Sequence, residues 1–150
     1  MKKTFREIGM IARCTATISD IEFKKINLAK GQYLYLVRIY ENPGIIQERV
    51  ADMLKVDRTT AAKTIKKLVE MELIKKTKSK NNKKELKLYC TPKGKEIYPF
   101  LQKEEEYTVR SAMEGMSTEE KKMVFELLYK MRTNIEKDWK DIKKGNKRRY

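Results

Sequence analysis

The 150-residue chain predicts a mainly α-helical fold with one small β-hairpin. Three observations carry that reading. Apolar residues recur at helical spacing in one segment after another, whereas strand-like alternation is confined to the stretch around residues 85–90. Between residues 55 and 95, fourteen Lys or Arg stand against four Asp or Glu, so this stretch holds +10 of the chain's +15 net charge. A helix and hairpin that can enter a groove therefore coincide with the charge that draws a polyanion, and nucleic acid is the first partner indicated.

From residue 5 to 22, Phe5, Ile8, Ile11, Ala12, Cys14 and Ile18 recur at helical spacing over a broad arc. The arc is too wide for one buried stripe, so this helix is expected to pack on two sides. Residues 28–40 read as a second helix carrying Tyr33, Leu34, Leu36, Val37 and Tyr40, closed by the breaker Asn42-Pro43-Gly44. Residues 45–54 form a short amphipathic helix with Ile46, Val50, Ala51 and Leu54 on one side. Val56-Asp57 leaves almost no spacer, so the next helix starts after a sharp turn. Asp57 is placed to N-cap it, accepting from backbone N–H groups near Thr59 and Thr60. At about 100° per residue, Ala61, Ala62, Ile65, Leu68 and Val69 share one face. Thr59, Thr60, Lys63, Lys66, Lys67 and Glu70 point the opposite way, which makes the outward face cationic and rich in hydroxyls.

Residues 73–78 and 85–90 flank a polar tip at 79–84, and Leu86, Leu88 and Cys90 alternate with Lys87 and Tyr89. This is a hairpin with a lysine-rich tip. Thr91 caps and Pro92 opens a further helix bearing Ile97, Phe100, Leu101 and Tyr107. Ser117-Thr118-Glu119-Glu120 is a capping box. The helix it starts sets Val124, Leu128, Met131, Ile135 and Ile142 near a 3.5-residue period, a seam that needs a mate. The basic run at 143–149 is expected to fray.

Composition narrows the function. No apolar run approaches the ~20 residues needed to cross a bilayer, so a soluble, cytoplasmic protein is expected. The chain has no histidine, and its two cysteines lack metal-ligand spacing. No catalytic residue, metal ligand or cofactor site is assigned, and an enzyme is the least favoured class. Glu104, Glu105 and Glu106 are consecutive on a helix and point in different directions, so they read as a solvated face. Cys14, on the apolar arc, and Cys90, in the apolar phase of its strand, are read as buried packing. Tyr33, Tyr35, Tyr40 and Trp139 are read as core or interface.

Helix, tight turn, cationic helix and basic hairpin together make a winged helix-turn-helix. Four segments carry a closer likeness: Gln47-Glu48-Arg49-Val50-Ala51-Asp52-Met53-Leu54, Val56-Asp57-Arg58-Thr59-Thr60-Ala61-Ala62-Lys63, Leu68-Val69-Glu70-Met71-Glu72-Leu73-Ile74, and Thr91-Pro92-Lys93-Gly94. In their order and near gap-free spacing, the chain resembles the MarR/SlyA family of transcriptional regulators over nearly its whole length. Gln32 also looks like the glutamine that members of that family carry at the start of the second helix.

That resemblance implies a homodimer with an intertwined helical dimerisation region, residues 1–27 and 92–145, around a DNA-binding lobe at 28–91, with a basic tail at 146–150. Phe5, Ile8, Ile11, Val124, Leu128, Met131, Ile135 and Ile142 are its candidate interface residues. It implies double-stranded DNA bound as a pseudo-palindrome, with recognition helices at 58–71 in successive major grooves and wings at the flanking minor grooves. The helical-face reading selects the same segment independently. Arg58, Thr59, Thr60 and Lys63, near the helix start, are candidates for base edges and adjacent phosphates. Thr64, Lys66 and Lys67 complete the helix set, the two lysines as phosphate holders. Gln47 is a further backbone candidate, and Lys76, Lys78, Lys80, Asn82, Lys83 and Lys84 form the wing set.

The chain departs from the family pattern at three places. Where relatives carry Asp and then an Arg that enters the minor groove, it has Asn82 and Lys84, a neutral amide and a hydrated point charge, so its wing is expected to add mostly nonspecific affinity. Lys55 and Glu72 fall where relatives often have Gly. The resemblance further implies release by a small aromatic or phenolic anion, with no lining residues assigned by sequence. Two other classes stay open at this stage: a nonspecific nucleoid- or RNA-associated basic protein, and a peripheral membrane protein. The second lacks exposed aromatic anchors beside its charge.

Overall fold

A computed structural model describes residues 1–82 and 84–150. In chain order it runs α1 (Lys2–Lys24), α2 (Gln32–Glu41), β1 (Ile45–Ile46), α3 (Gln47–Leu54), α4 (Arg58–Glu70), β2 (Ile74–Lys78), β3 (Leu86–Cys90), α5 (Pro92–Ala112) and α6 (Thr118–Lys143). The chain divides into two compact units, Met1–Thr108 and Val109–Tyr150.

In the first unit the core is built from the apolar faces anticipated by periodicity. Leu36, Ile39, Val50, Ala61, Ile65, Leu68, Leu73, Ile74, Leu88 and Leu101 are each at most 1% exposed. Removing each large side chain from water contributes roughly 1.5–3 kcal/mol, which holds α2, α3 and α4 against the sheet. Tyr35 is buried, while Tyr33 and Tyr40 pack against this core from its edge. Tyr40 also stacks on Tyr98 with ring centroids 3.6 Å apart.

The sheet is antiparallel in the order β1-β3-β2, with Ile45 opposite Leu88 and Ile74 opposite Cys90. β1 corrects the expected helix at 45–54. Gly44, at φ +83°, turns the chain so that its N–H donates to the Leu88 carbonyl at 2.9 Å, and Ile45 and Ile46 then pair along the open edge of β3 before α3 begins. α2 likewise starts later than the expected residue 28. Gly31 is left-handed, and the buried Gln32 accepts from the Ala29 N–H through Oε1 at 2.7 Å, so residues 29–31 form a turn.

Other local expectations divide. Asp57 holds the N-cap position of α4 and its carbonyl accepts from Ala61 N–H at 2.9 Å, but its side chain makes no capping bond. Leu86 is 43% exposed although it shares the phase of the buried Leu88 and Cys90, because it lies at the tip end of β3, past the core. Thr91 accepts from the Gly94 N–H at 3.1 Å, as a cap should.

In the second unit, the Ser117 capping box of α6 is complete, with Glu120 N–H donating to Ser117 Oγ at 3.2 Å and Ser117 N–H donating to Glu120 Oε2 at 2.8 Å. The segment after α6 has no regular structure, yet Arg148 returns to pair with Asp138, where fraying was expected.

Candidate nucleic-acid interface

α3 and α4 meet through a turn closed by Val56 N–H donating to the Ala51 carbonyl at 3.1 Å. Lys55 terminates α3 in the left-handed region, φ +55° and ψ +42°. Glu72, just past α4, has φ +61°. These are the two positions where glycine was expected by resemblance, and the backbone shows why. A left-handed residue with a Cβ costs roughly 1–2 kcal/mol. Lys55 sits 3.2 Å from Asp52 through its ammonium, and Lys93 lies 3.9 Å from the Glu72 carboxylate.

With Ala61, Ile65 and Leu68 buried, α4 turns Arg58, Thr59, Thr60, Lys63, Lys66 and Lys67 to the outside, and all six are exposed. Thr64 is half-buried and donates to the Thr60 carbonyl at 3.1 Å, which leaves it less available than the other six. Gln47 is half-buried at the first position of α3. Arg58 ion-pairs with Glu48 of α3, a contact between residues ten apart that periodicity cannot reveal.

The wing brings Lys76, Lys78, Lys80, Asn82 and Lys84 to the surface; Lys83 lies outside the described residues. Its tip is organised by Asn82, whose Oδ1 accepts from Lys84 N–H at 3.1 Å while its carbonyl accepts from Glu85 N–H at 2.9 Å. Asn82 therefore shapes the tip. A cleft of about 330 Å³, lined in part by Gln47, Glu48, Arg58, Lys76 and Lys84, joins the start of α4 to the wing. At the wing's base, Thr91 donates through Oγ1 to the Glu72 carbonyl at 2.6 Å, its N–H donates to Leu73 O at 3.1 Å, and Lys93 donates to Met71 O at 2.9 Å. The hairpin is thus tied to the start of α5.

The candidate interface residues are accessible within the chain. Phe5, Ile11, Leu128, Ile135 and Ile142 are exposed, and Ile8, Val124 and Met131 are half-buried. Only Ser19 and Phe23 of α1 are buried. Cys14 is exposed, which corrects the expectation of buried packing: the apolar arc of α1 is wider than the surface covering it. Cys90 is buried as expected, and burial pushes its thiol from 9.0 up to about 11, with Lys95 pulling weakly the other way. Among the described residues no cluster of His, Cys, Asp or Glu could hold a metal ion, and no helix is long and apolar enough to cross a membrane.

An outward cationic helix set on a tight interhelical turn, with a three-stranded sheet projecting a basic hairpin beside it, defines a winged helix-turn-helix protein. Sequence and structure comparisons then place it. The MarR family model matches residues 28–86. The chain is 56% identical over all 150 residues, 100% of both chains, to YybA of Bacillus subtilis (strain 168), described as an uncharacterized HTH-type transcriptional regulator. Among solved structures it is similar to a MarR family transcriptional regulator from Listeria monocytogenes complexed with 26mer DNA, at 51% identity, TM-score 0.95 and 97% coverage of each chain. It is also similar to the transcriptional regulator SlyA, at 47% identity and TM-score 0.89, covering 93% of this chain and 98% of that one. The chain belongs to the MarR family and is a transcriptional regulator.

Proposed function

We propose that the protein is a homodimer that binds pseudo-palindromic operator DNA sequence-specifically, with α4 of each copy in the major groove and the wing on flanking backbone. The observation that carries this reading is the exposure of Arg58, Thr59, Thr60 and Lys63 together on the first turns of α4, beside a hairpin whose lysines also face outward. Side chains near the start of a recognition helix reach base edges, and those further back, such as Lys66 and Lys67, meet phosphates. The Listeria relative crystallised with DNA supports the same use of the fold.

Dimerisation is proposed from the apolar surfaces. α1 exposes Phe5, Ile11, Ile18 and Ile21, and α6 buries no residue while exposing Phe125, Leu128, Ile135 and Ile142. Such helices need a partner, and a second copy presents the same unmet faces. Release by a small aromatic or phenolic anion belongs to the same proposal. A cleft of about 370 Å³, lined by Tyr40, Pro43, Tyr89, Lys75 and Lys95 among others, offers the aromatic walls and amines such a ligand requires. A ligand acts only to the extent that it favours the non-binding spacing of the two recognition helices.

Footprinting on DNA flanking the protein's own gene tests the reading, with sedimentation in parallel. A protected site with twofold symmetry, half-sites about one helical turn apart, and a dimer in solution are expected. Equal affinity for promoter DNA, bulk DNA and double-stranded RNA across salt would instead favour a nonspecific basic protein.

A further inference from the structure

We infer that Glu48 is a positioning residue that holds Arg58 for a guanine contact, so that sequence preference at one base pair of each half-site depends on a side chain outside the recognition helix. This rests on the operator reading proposed above. Glu48 stands in the first turn of α3 and Arg58 is the first residue of α4, so their ion pair spans the helix-turn-helix turn. The contact runs from Arg58 Nη2 to a single carboxylate oxygen, Glu48 Oε1.

Three physical consequences follow from that geometry. A surface arginine loses rotamer entropy when it is ordered, and an ion-pair partner removes part of that cost before DNA arrives. One N–H of Nη2 is taken by the carboxylate, leaving the other guanidinium donors for the bidentate contact to guanine O6 and N7. The pair is also neutral as a unit, so it gains little from phosphate alone, and a correctly placed base edge becomes its main reward. Lys67 is exposed further along the same helix without such a brace among the described ion pairs, and it suits the phosphate backbone as a mobile point charge.

The test is selection of binding sites from a randomised duplex pool with the full-length protein, Arg58→Ala, Glu48→Ala and Glu48→Gln, with thermal unfolding of each variant. Arg58→Ala identifies the dependent position by abolishing a guanine preference there. Glu48→Ala is expected to lower that preference at least about fivefold while leaving the other positions unchanged. Glu48→Gln, which keeps an acceptor oxygen at the same reach, retains it. An unchanged guanine preference in Glu48→Ala overturns the inference, as does a uniform rise in affinity for every sequence, or a Gln variant as deficient as Ala. A wild-type protein that selects no motif would sink the operator reading itself, which is a separate failure.

Discussion

Gly94 approaches the Leu73 carbonyl so closely that a Cβ built on it would stand 2.2 Å from that oxygen. Both partners are backbone, so neither can swing aside. The start of α5 and the base of the wing are therefore fixed relative to each other by a missing side chain, and Thr91 adds its hydrogen bonds to Glu72 and Leu73 at the same point. Gly94→Ala is expected to cost about 1–3 kcal/mol of stability, as overpacking does. Urea unfolding measures it, and a loss below about 0.5 kcal/mol, on the order of a neutral surface change, would show that the junction yields.

Lys55 and Glu72 run the other way. Each occupies a left-handed position with a Cβ. Glycine would relieve about 1–2 kcal/mol of strain and lose about 0.5–1 kcal/mol through added freedom of the unfolded chain. Glu72→Gly and Lys55→Gly are each expected to raise stability by up to about 1 kcal/mol, read as a higher urea midpoint at unchanged slope. A lower midpoint would mean that the ion pairs to Lys93 and Asp52 outweigh the strain.

Lys63 and the wing lysines should separate in their effects on DNA. Lys63→Ala is expected to weaken operator binding by about 1–3 kcal/mol and bulk DNA less. Replacing Lys80 and Lys84 with Gln is expected to reduce the salt slope by about one for each phosphate no longer neutralised and to leave sequence preference unchanged. Titrations on both DNAs at several salt concentrations decide it, and a changed preference in the wing variant would contradict its assignment to the backbone.

Cys90 gives a pH signature. Its thiol is raised from 9.0 to about 11 in the folded state by burial. The folded protein therefore holds that proton where the unfolded chain releases it. The resulting stability is fully present below pH 9 and is lost as pH rises through about 11. Cys90→Ala should show a shallower decline over that window. Thiol labelling at neutral pH should leave Cys90 unmodified until the protein unfolds; rapid modification of the native protein would refute its burial.

Much of the local geometry of the candidate surface was legible because it depends on period alone. The two faces of α4, the Thr91 cap and the Ser117 capping box each arise from residues within a few positions of one another, where local geometry decides, and the second strand of the hairpin shows as alternation along its own residues. What escaped were features held by partners distant in sequence. β1 is two residues long and exists because Leu88 and Lys87 lie beside it; by pattern alone, Ile45 and Ile46 fit the helix that follows. Cys14 lies on an apolar arc, but pattern cannot say how much of the arc is covered.

The amino-acid sequence alone determined the helical architecture, the concentration of charge on one helix and hairpin, and the likeness to a regulator family, since all three follow from residue type and spacing. Only the tertiary structure decided that Lys55 and Glu72 sit left-handed, that Gly94 must lack a side chain, and that Glu48 meets Arg58. Those facts depend on where the chain returns in space. Packing of the shared core sets that return, and no single segment encodes it.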